Sequence, residues 1–153
     1  MTIKVGHPVP DFTAPSTLGD ITLSLLKGHK VVLYFYPKDN TPGCTLEGQN
    51  FRDLHEQFVK NNTAVIGVSR DSIKSHQNFC DQEKFQFPLV SDVAEQLTRM
   101  FDVIKTKTMY GKPVQGVERS TFVIDQYGVL AKEWRAVKVP GHAEEVLSFI
   151  KNL

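Results

Sequence analysis

Residues 31–44 read VVLYFYPKDNTPGC, and this stretch decides the fold. Its first six residues are almost wholly apolar β-formers, a pattern typical of a strand buried on both faces at the centre of an α/β sheet. Pro37 ends the strand, and the residues after it have the composition of a loop. A helix should follow, because Thr41 is a good N-cap and Pro42 stands at the first helical position, where its missing N–H does no harm.

The rest of the chain alternates between strand-like and helix-like patterns. The sequence predicts strands at residues 64–68, 88–90, 121–124 and 129–134, and helices that begin near residues 42, 72, 92 and 143. The last two strands form a hairpin, so the central sheet should be mixed, with helices flanking it. We expect Lys105–Lys107 to be a solvated loop. Ligands gather beyond the carboxyl ends of strands in such sheets, which points to the loop at residues 37–44.

Size and composition indicate one globular domain spanning residues 1–153. Hydrophobic residues make up 41% and charged residues 23% of the chain, the balance of an ordinary globular protein. The formal net charge is +1, which gives no reason to expect nucleic acid or a membrane as a partner. Two cysteines and the lack of a signal-peptide pattern predict a cytoplasmic protein with reduced thiols.

Cys44 is the candidate catalytic residue. With Thr41 as N-cap it falls in the first helical turn, where unpaired N–H groups and the positive end of the helix dipole favour thiolate over thiol. Cysteines so placed can have a pKa well below the free value of about 8.5, and the thiolate is the nucleophile. The alternative for a lone cysteine is a small buried hydrophobe. The strand, loop and helix around Cys44 favour the reactive thiol.

Residues 36–45, YPKDNTPGCT, resemble the Pro-x-x-x-Thr-x-x-Cys active-site motif of the peroxiredoxins. Together with residues 51–53, Phe-Arg-Asp, the stretch is most similar to the peroxiredoxin Q, or bacterioferritin comigratory protein, subfamily. The resemblance extends over almost the whole chain, through residues 10–12, 88–92 and 119–125. It implies a thioredoxin-like fold and a thiol-dependent peroxidase.

The resemblance also implies roles for individual residues. Cys44 matches the peroxidatic cysteine, which attacks the terminal oxygen of a peroxide. Thr41 matches the residue whose hydroxyl contacts thiolate and peroxide, and Pro37 matches the proline that shields the thiolate from water. Arg119 matches the arginine that pairs with the thiolate and orients the peroxide, and such fixed donors would stabilise the leaving oxygen. Glu47 could orient Arg119, or could simply favour the helix dipole.

Attack on a peroxide leaves a sulfenic acid, which a second thiol must resolve before further oxidation. In many relatives this thiol lies five residues after the first, where Gln49 stands here. A second group carries it on the next helix, a pattern that residues 75–80 match, so the resemblance implies that Cys80 resolves Cys44 in an intramolecular disulfide. Otherwise Cys80 is a packed apolar residue. A disulfide needs Cα atoms within about 7 Å, so we expect either the first helical turn at Cys44 or the Cys80 helix to unwind before it closes. Gly43 would serve as a hinge for the first of these.

As partners the resemblance implies a peroxide substrate and a thioredoxin or glutaredoxin-type dithiol reductant, and it implies a monomer. Two other functions are left open: a thiol–disulfide oxidoreductase or holdase, and a non-enzymatic interaction module with inert cysteines. The sequence predicts no cofactor and no metal, because none of its five histidines stands at ligand spacing with another histidine or a cysteine. His76 could tune the pKa of Cys80, although we expect it at the surface.

Overall fold

Five strands form the central sheet of the protein. The computed structural model describes residues 3–153, and its strands are β1 (Thr13–Ala14), β2 (Ile21–Thr22), β3 (Lys30–Phe35), β4 (Thr63–Ser69), β5 (Leu89–Ser91), β6 (Ile104–Met109), β7 (Lys112–Val117), β8 (Ser120–Ile124) and β9 (Leu130–Trp134). The helices are α1 (Pro42–Lys60), α2 (Ile73–Glu83), α3 (Gln96–Met100) and α4 (His142–Lys151), and a 3-10 helix spans Leu23–Leu26. The central sheet has the order β5-β4-β3-β8-β9. The remaining strands form two separate pairs, β1 with β2 and β6 with β7.

Strand β3 lies in the middle of this sheet, and its register decides which loops meet. It runs parallel to β4, which runs parallel to β5, whereas β8 and β9 add antiparallel pairing. Phe35, the last residue of β3, lies opposite Val68 of β4 and opposite Ser120, the first residue of β8. The loop that leads to Cys44, the loop that leads to α2, and Arg119 just before β8 therefore converge at one edge of the sheet.

Alternate residues of β3 belong to two different core layers. Leu33 and Phe35 face one layer and Val32 and Tyr34 the other, and all four are at most 1% exposed, as expected for a strand buried on both faces. The first layer also contains Phe12, Leu23, Leu97, Phe101 and Phe122. The second contains Cys44, Phe51, Phe58, Phe79, Val146 and Ile150, with Cys80 packed against it. Both cysteines thus lie on the side of the sheet covered by α1, α2 and α4.

The predicted mixed sheet and its flanking helices are confirmed, but the predicted loop at Lys105–Lys107 is wrong. These residues belong to the β6–β7 hairpin, whose turn has Tyr110 and Gly111 at φ 53° and 75°. Both central residues of a tight two-residue hairpin turn need such left-handed angles. Most residues of β6 and β7 are exposed, so the two strands show no apolar alternation that would reveal them.

Helix α3 is shorter than its capping-box pattern predicts. It begins at Gln96, and the Asp92 carboxylate accepts hydrogen bonds from the amides of Leu97 and Thr98 at 3.0 and 2.8 Å. Glu95 adopts a left-handed φ of 59° and binds arginine side chains instead.

None of the helices within residues 3–153 has both the length and the apolar character that spanning a bilayer requires.

Candidate active site

Cys44 is the third residue of α1 and is 1% exposed. Pro42 and the extended backbone of Thr41, with φ −90° and ψ 153°, start the helix at the predicted position. Thr41 stands at the predicted N-cap position, but its side chain does not cap the helix. Its hydroxyl makes no hydrogen bond to the first turn and donates to the carbonyl of Lys38 at 2.8 Å. The lone pairs of that hydroxyl stay free to accept a hydrogen bond from a ligand beside Cys44.

Arg119 reaches Cys44 because Ser120 pairs with the last residue of β3. Its Nη2 lies 3.3 Å from Cys44 Sγ, and its Nη1 donates to Glu47 Oε1 at 2.6 Å. Partial burial lowers the pKa of the guanidinium, but the charges of Glu47 and Cys44 outweigh this and raise it above its ordinary value. Arg119 is thus a fixed positive charge that bridges the sulfur and a buried carboxyl.

The Glu47 carboxyl is 1% exposed and only half satisfied. Its Oε1 binds Arg119, whereas its Oε2 has no hydrogen-bond partner within residues 3–153. Burial raises the pKa of Glu47 to about 7, although Arg119 acts in the opposite direction. The expected contact between Glu47 and Arg119 is therefore present in the structure, and its carboxyl can carry a proton near neutral pH.

Gly43 shapes the approach of Arg119 to the sulfur. A methyl group on the Gly43 Cα would lie 3.2 Å from Arg119 Nη2, so the guanidinium lies directly against this glycine. Pro37 stands two residues after the end of β3 and is exposed. The amides of Gly43 and Cys44, in the uncapped first turn, stay open to a ligand.

These groups form a site for an anion at sulfur. The Arg119 guanidinium, the helix terminus and the first-turn amides all favour negative charge beside Cys44 Sγ. The same donors can stabilise charge that develops on an oxygen bound next to that sulfur. A thiolate with preorganised anion donors suits nucleophilic attack on a bond whose leaving atom becomes an anion.

Cys80 lies in the last turn of α2, and its sulfur faces different partners. Its Sγ lies 4.0 Å from Thr17 Oγ1, and the side chain lines a cavity of about 160 Å³ with Thr17, Leu18, Gln77, Asp81, Phe85 and Phe87. Burial raises the pKa of Cys80 to about 11, with Asp39 and Asp81 adding to the rise and Thr17 opposing it. Both cysteines are free thiols in this structure.

A second polar cluster near α2 was not predicted. His76 is 0% exposed, so the expected surface position is wrong. One ligand atom each of Asp39, Asp71 and His76 lies within 4.8 Å of the others, a spacing that could suit a metal. The three come from separate segments, so no local spacing reveals them. Side-chain atoms of all three residues already take part in hydrogen bonds, such as Ser69 Oγ to Asp71 Oδ2 at 2.6 Å, so these groups have protein partners without an ion.

Comparison with known proteins places this arrangement in a family. The model of the AhpC/TSA family matches residues 5–133. Peroxiredoxin Bcp of Xanthomonas campestris is 52% identical over 147 residues, which are 94% of this chain and 92% of that protein. Peroxiredoxin Bcp of Bacillus subtilis is 46% identical over 154 residues, covering 100% of this chain and 98% of its own length.

Solved structures agree with these relatives. The bacterioferritin comigratory protein of X. campestris superposes with a TM-score of 0.92 at 48% identity, covering 97% of this chain and 98% of that one. The structures of that protein with a trapped intermediate and a ligand address its alkyl peroxide reduction activity. The predicted thioredoxin-like fold and the resemblance read from the active-site motif are therefore confirmed. The chain belongs to the AhpC/TSA family and is a peroxiredoxin, a thiol peroxidase of the group that contains Bcp and peroxiredoxin Q.

Proposed function

We propose that this enzyme reduces hydrogen peroxide and organic hydroperoxides at Cys44. The observation that carries the proposal is the 3.3 Å contact between Arg119 Nη2 and Cys44 Sγ, at the uncapped end of α1. The X. campestris relative studied for alkyl peroxide reduction supports organic hydroperoxides as substrates.

In the first step the Cys44 thiolate attacks the terminal oxygen of the peroxide. An S–O bond forms while the O–O bond breaks, so sulfur is oxidised by two electrons and the peroxide is reduced. Negative charge develops on the departing oxygen, where Arg119 and the first-turn amides stabilise it. The leaving oxygen takes a proton and departs as alcohol or water, and Cys44 is left as a sulfenic acid.

Three further residues support this step in our proposal. Thr41 accepts a hydrogen bond from the peroxide through the lone pairs that its bond to Lys38 leaves free. Pro37 limits the access of water to the sulfur. Glu47 holds Arg119 in place through its 2.6 Å bond to Nη1, which leaves Nη2 for the sulfur and the peroxide.

In the second step Cys80 resolves the sulfenic acid. The Cys80 thiolate attacks Cys44 Sγ, an S–S bond forms and the S–O bond breaks. The hydroxide that leaves takes a proton, such as the one released by the Cys80 thiol, and departs as water. Peroxiredoxin Q of X. campestris has been solved as two single cysteine-to-serine variants, and their positions have the same separation in sequence as Cys44 and Cys80. That correspondence supports a disulfide within one chain.

A dithiol protein of the thioredoxin or glutaredoxin type then reduces the disulfide in our proposal. We propose that the enzyme acts as a monomer, as one domain spanning residues 1–153, in the cytoplasm, where its two cysteines would return to thiols. An assay of peroxide consumption with thioredoxin and glutaredoxin as alternative electron donors identifies the reductant. The donor that supports turnover should also reduce the isolated disulfide form.

The cysteine roles are tested by mass spectrometry after one equivalent of peroxide. Wild type should show an internal link between Cys44 and Cys80, and Cys80→Ser should consume one equivalent and stop as a sulfenic acid. Cys44→Ser should consume none. Links found only between chains, or peroxide consumption that survives in Cys44→Ser, would contradict these roles.

A further inference from the structure

A buried hydrogen-bonded pair, Asp39 and His76, joins the loop before Cys44 to the helix that carries Cys80. Asp39 is 5% exposed and His76 is 0% exposed. Asp39 Oδ2 lies 2.7 Å from His76 Nδ1 and accepts a hydrogen bond from Ser75 Oγ at 2.8 Å. Its Oδ1 accepts one from the Tyr36 hydroxyl at 2.7 Å. Both oxygens of this carboxylate are therefore satisfied without water.

His76 lies within hydrogen-bond distance of an oxygen atom at both ring nitrogens. Its Nδ1 faces the Asp39 carboxylate at 2.7 Å, and its Nε2 lies 2.9 Å from the carbonyl oxygen of Val90. Removing one member of a buried hydrogen-bonded pair leaves the other without its partner, which makes such a contact costly to break.

The pair lies close to both cysteines along the chain. Asp39 precedes Cys44 by five residues, and His76 precedes Cys80 by four. Within an α-helix the amide of Cys80 donates to the carbonyl of His76, so the anchored residue also holds the backbone of Cys80. A short helix such as α2 depends on packing for its stability, and loss of its last turn weakens the turn before it.

Contacts between α1 and α2 themselves are less buried. Gln49 Nε2 donates to Glu83 Oε1, and Arg52 Nη1 donates to the carbonyl of Glu83, both at 2.8 Å. These bonds are part-buried, whereas the Asp39–His76 contact is buried, so water competes less for its groups. The Asp39–His76 pair is therefore a more deeply buried polar contact between the segments that carry the two thiols than either of these bonds.

We propose that Asp39 and His76 are positioning residues. They hold the arrangement of this structure, here called closed, in which Cys44 meets peroxide, and their separation limits disulfide formation with Cys80. The inference rests on the proposed resolving role of Cys80. The free thiols face different partners, Arg119 for Cys44 and Thr17 for Cys80, so the disulfide requires one or both segments to move. Contacts that exist only in the closed arrangement lower the population of any open one.

The test compares two products of a single turnover without reductant. Each sulfenic acid becomes either the disulfide or, with a second peroxide, the sulfinic acid. At a fixed peroxide concentration the ratio of disulfide to sulfinic acid, measured by mass spectrometry, reports the population of the open arrangement in which Cys80 reaches Cys44. Asp92→Asn is the control for a general loss of stability. Asp92 is buried and caps α3, and it makes no hydrogen bond to Asp39 or His76.

Asp39→Asn should raise the ratio of disulfide to sulfinic acid about tenfold or more, because the loss of a hydrogen bond to a charged group shifts an equilibrium by about that factor. Asp39 also raises the pKa of Cys80, so its removal changes the reactivity of that thiol as well. Ser75→Ala removes one bond to Asp39 and leaves every charge in place, and it should raise the ratio about threefold. Asp92→Asn should leave the ratio within about twofold of wild type.

An unchanged or lower ratio in Ser75→Ala overturns the inference. This variant decides the test by itself if Asp39→Asn does not fold. A rise of equal size in Asp92→Asn overturns it too, because the effect would then not be specific to the pair. Absence of the disulfide in wild type would instead contradict the proposed role of Cys80. The two failures are thus distinguishable in one set of samples.

Discussion

Gly43 lies so close to Arg119 that a methyl group on its Cα would come within 3.2 Å of Nη2, the atom 3.3 Å from Cys44 Sγ. The glycine lies in the helical part of the chain and is not among the residues with a positive φ. Its missing side chain is therefore needed for the approach of the guanidinium, and its expected use as a hinge stays a prediction.

Gly43→Ala should slow the oxidation of Cys44 several-fold without lowering the stability of the protein. The added methyl group moves the guanidinium by a few tenths of an ångström, whereas alanine is up to about 1 kcal/mol better than glycine in a helix. Stopped-flow oxidation by peroxide and urea denaturation measure the two effects. Gly116→Ala is the matched control, since a methyl group there meets nothing within 4 Å. Equal rates for both variants would contradict the packing role of Gly43.

Arg119→Lys should lower kcat/KM for peroxide by about a hundredfold, the usual loss on removing one preorganised donor of an anion site. Lysine keeps the charge, but its single ammonium cannot bridge Cys44 and Glu47 as the forked guanidinium does. Arg135→Lys is the control, because Arg135 binds the carbonyls of Phe101 and Asp102. Full activity in Arg119→Lys would show that charge alone is sufficient.

The local part of the site was predictable from sequence. Strand β3, the start of α1 at Pro42 and the first-turn position of Cys44 all follow from neighbouring residues, whose backbone preferences need no distant partner. Arg119 was assigned through resemblance only. The physical reason for its position is the pairing of Phe35 with Ser120, which depends on the register between strands far apart in sequence.

The buried Asp39–His76 pair was not predictable in the same way. Its members come from the loop after β3 and the first turn of α2, which the parallel pairing of β3 with β4 brings together. In the sequence His76 resembles any polar residue on a helix, and only its burial and the two oxygen atoms at its ring nitrogens distinguish it.

The hairpin of β6 and β7 was not predicted, because its strands lie largely in solvent.

Glu47 should make the protein less stable as the pH rises from 4.5 to 7. Burial raises its folded pKa from 4.5 to about 7, so the folded state binds more protons than the unfolded state in this window. The contribution is complete below pH 4.5 and is lost through about pH 7, with a total on the order of 3 kcal/mol. Urea denaturation at several pH values should show that Glu47→Gln gains stability relative to wild type across the window.

Glu56→Gln is the control for this titration, because the Glu56 side chain is 83% exposed. Its stability should follow that of wild type at every pH between 4.5 and 7. A constant difference between Glu47→Gln and wild type over that window would show that the folded protein does not hold an extra proton on Glu47.

Disulfide formation should accelerate with pH, because the proposed resolving group is the Cys80 thiolate and burial raises the pKa of this thiol to about 11. Below its pKa the thiolate fraction rises about tenfold per pH unit, so the rate should rise about a hundredfold between pH 6 and 8. Mass spectrometry of samples quenched after one peroxide equivalent measures it. Thr17 opposes the rise in pKa through its hydroxyl, so Thr17→Val should slow the step and Thr17→Ser should not. A rate independent of pH would mean that the chemistry of Cys80 is faster than the movement that releases it.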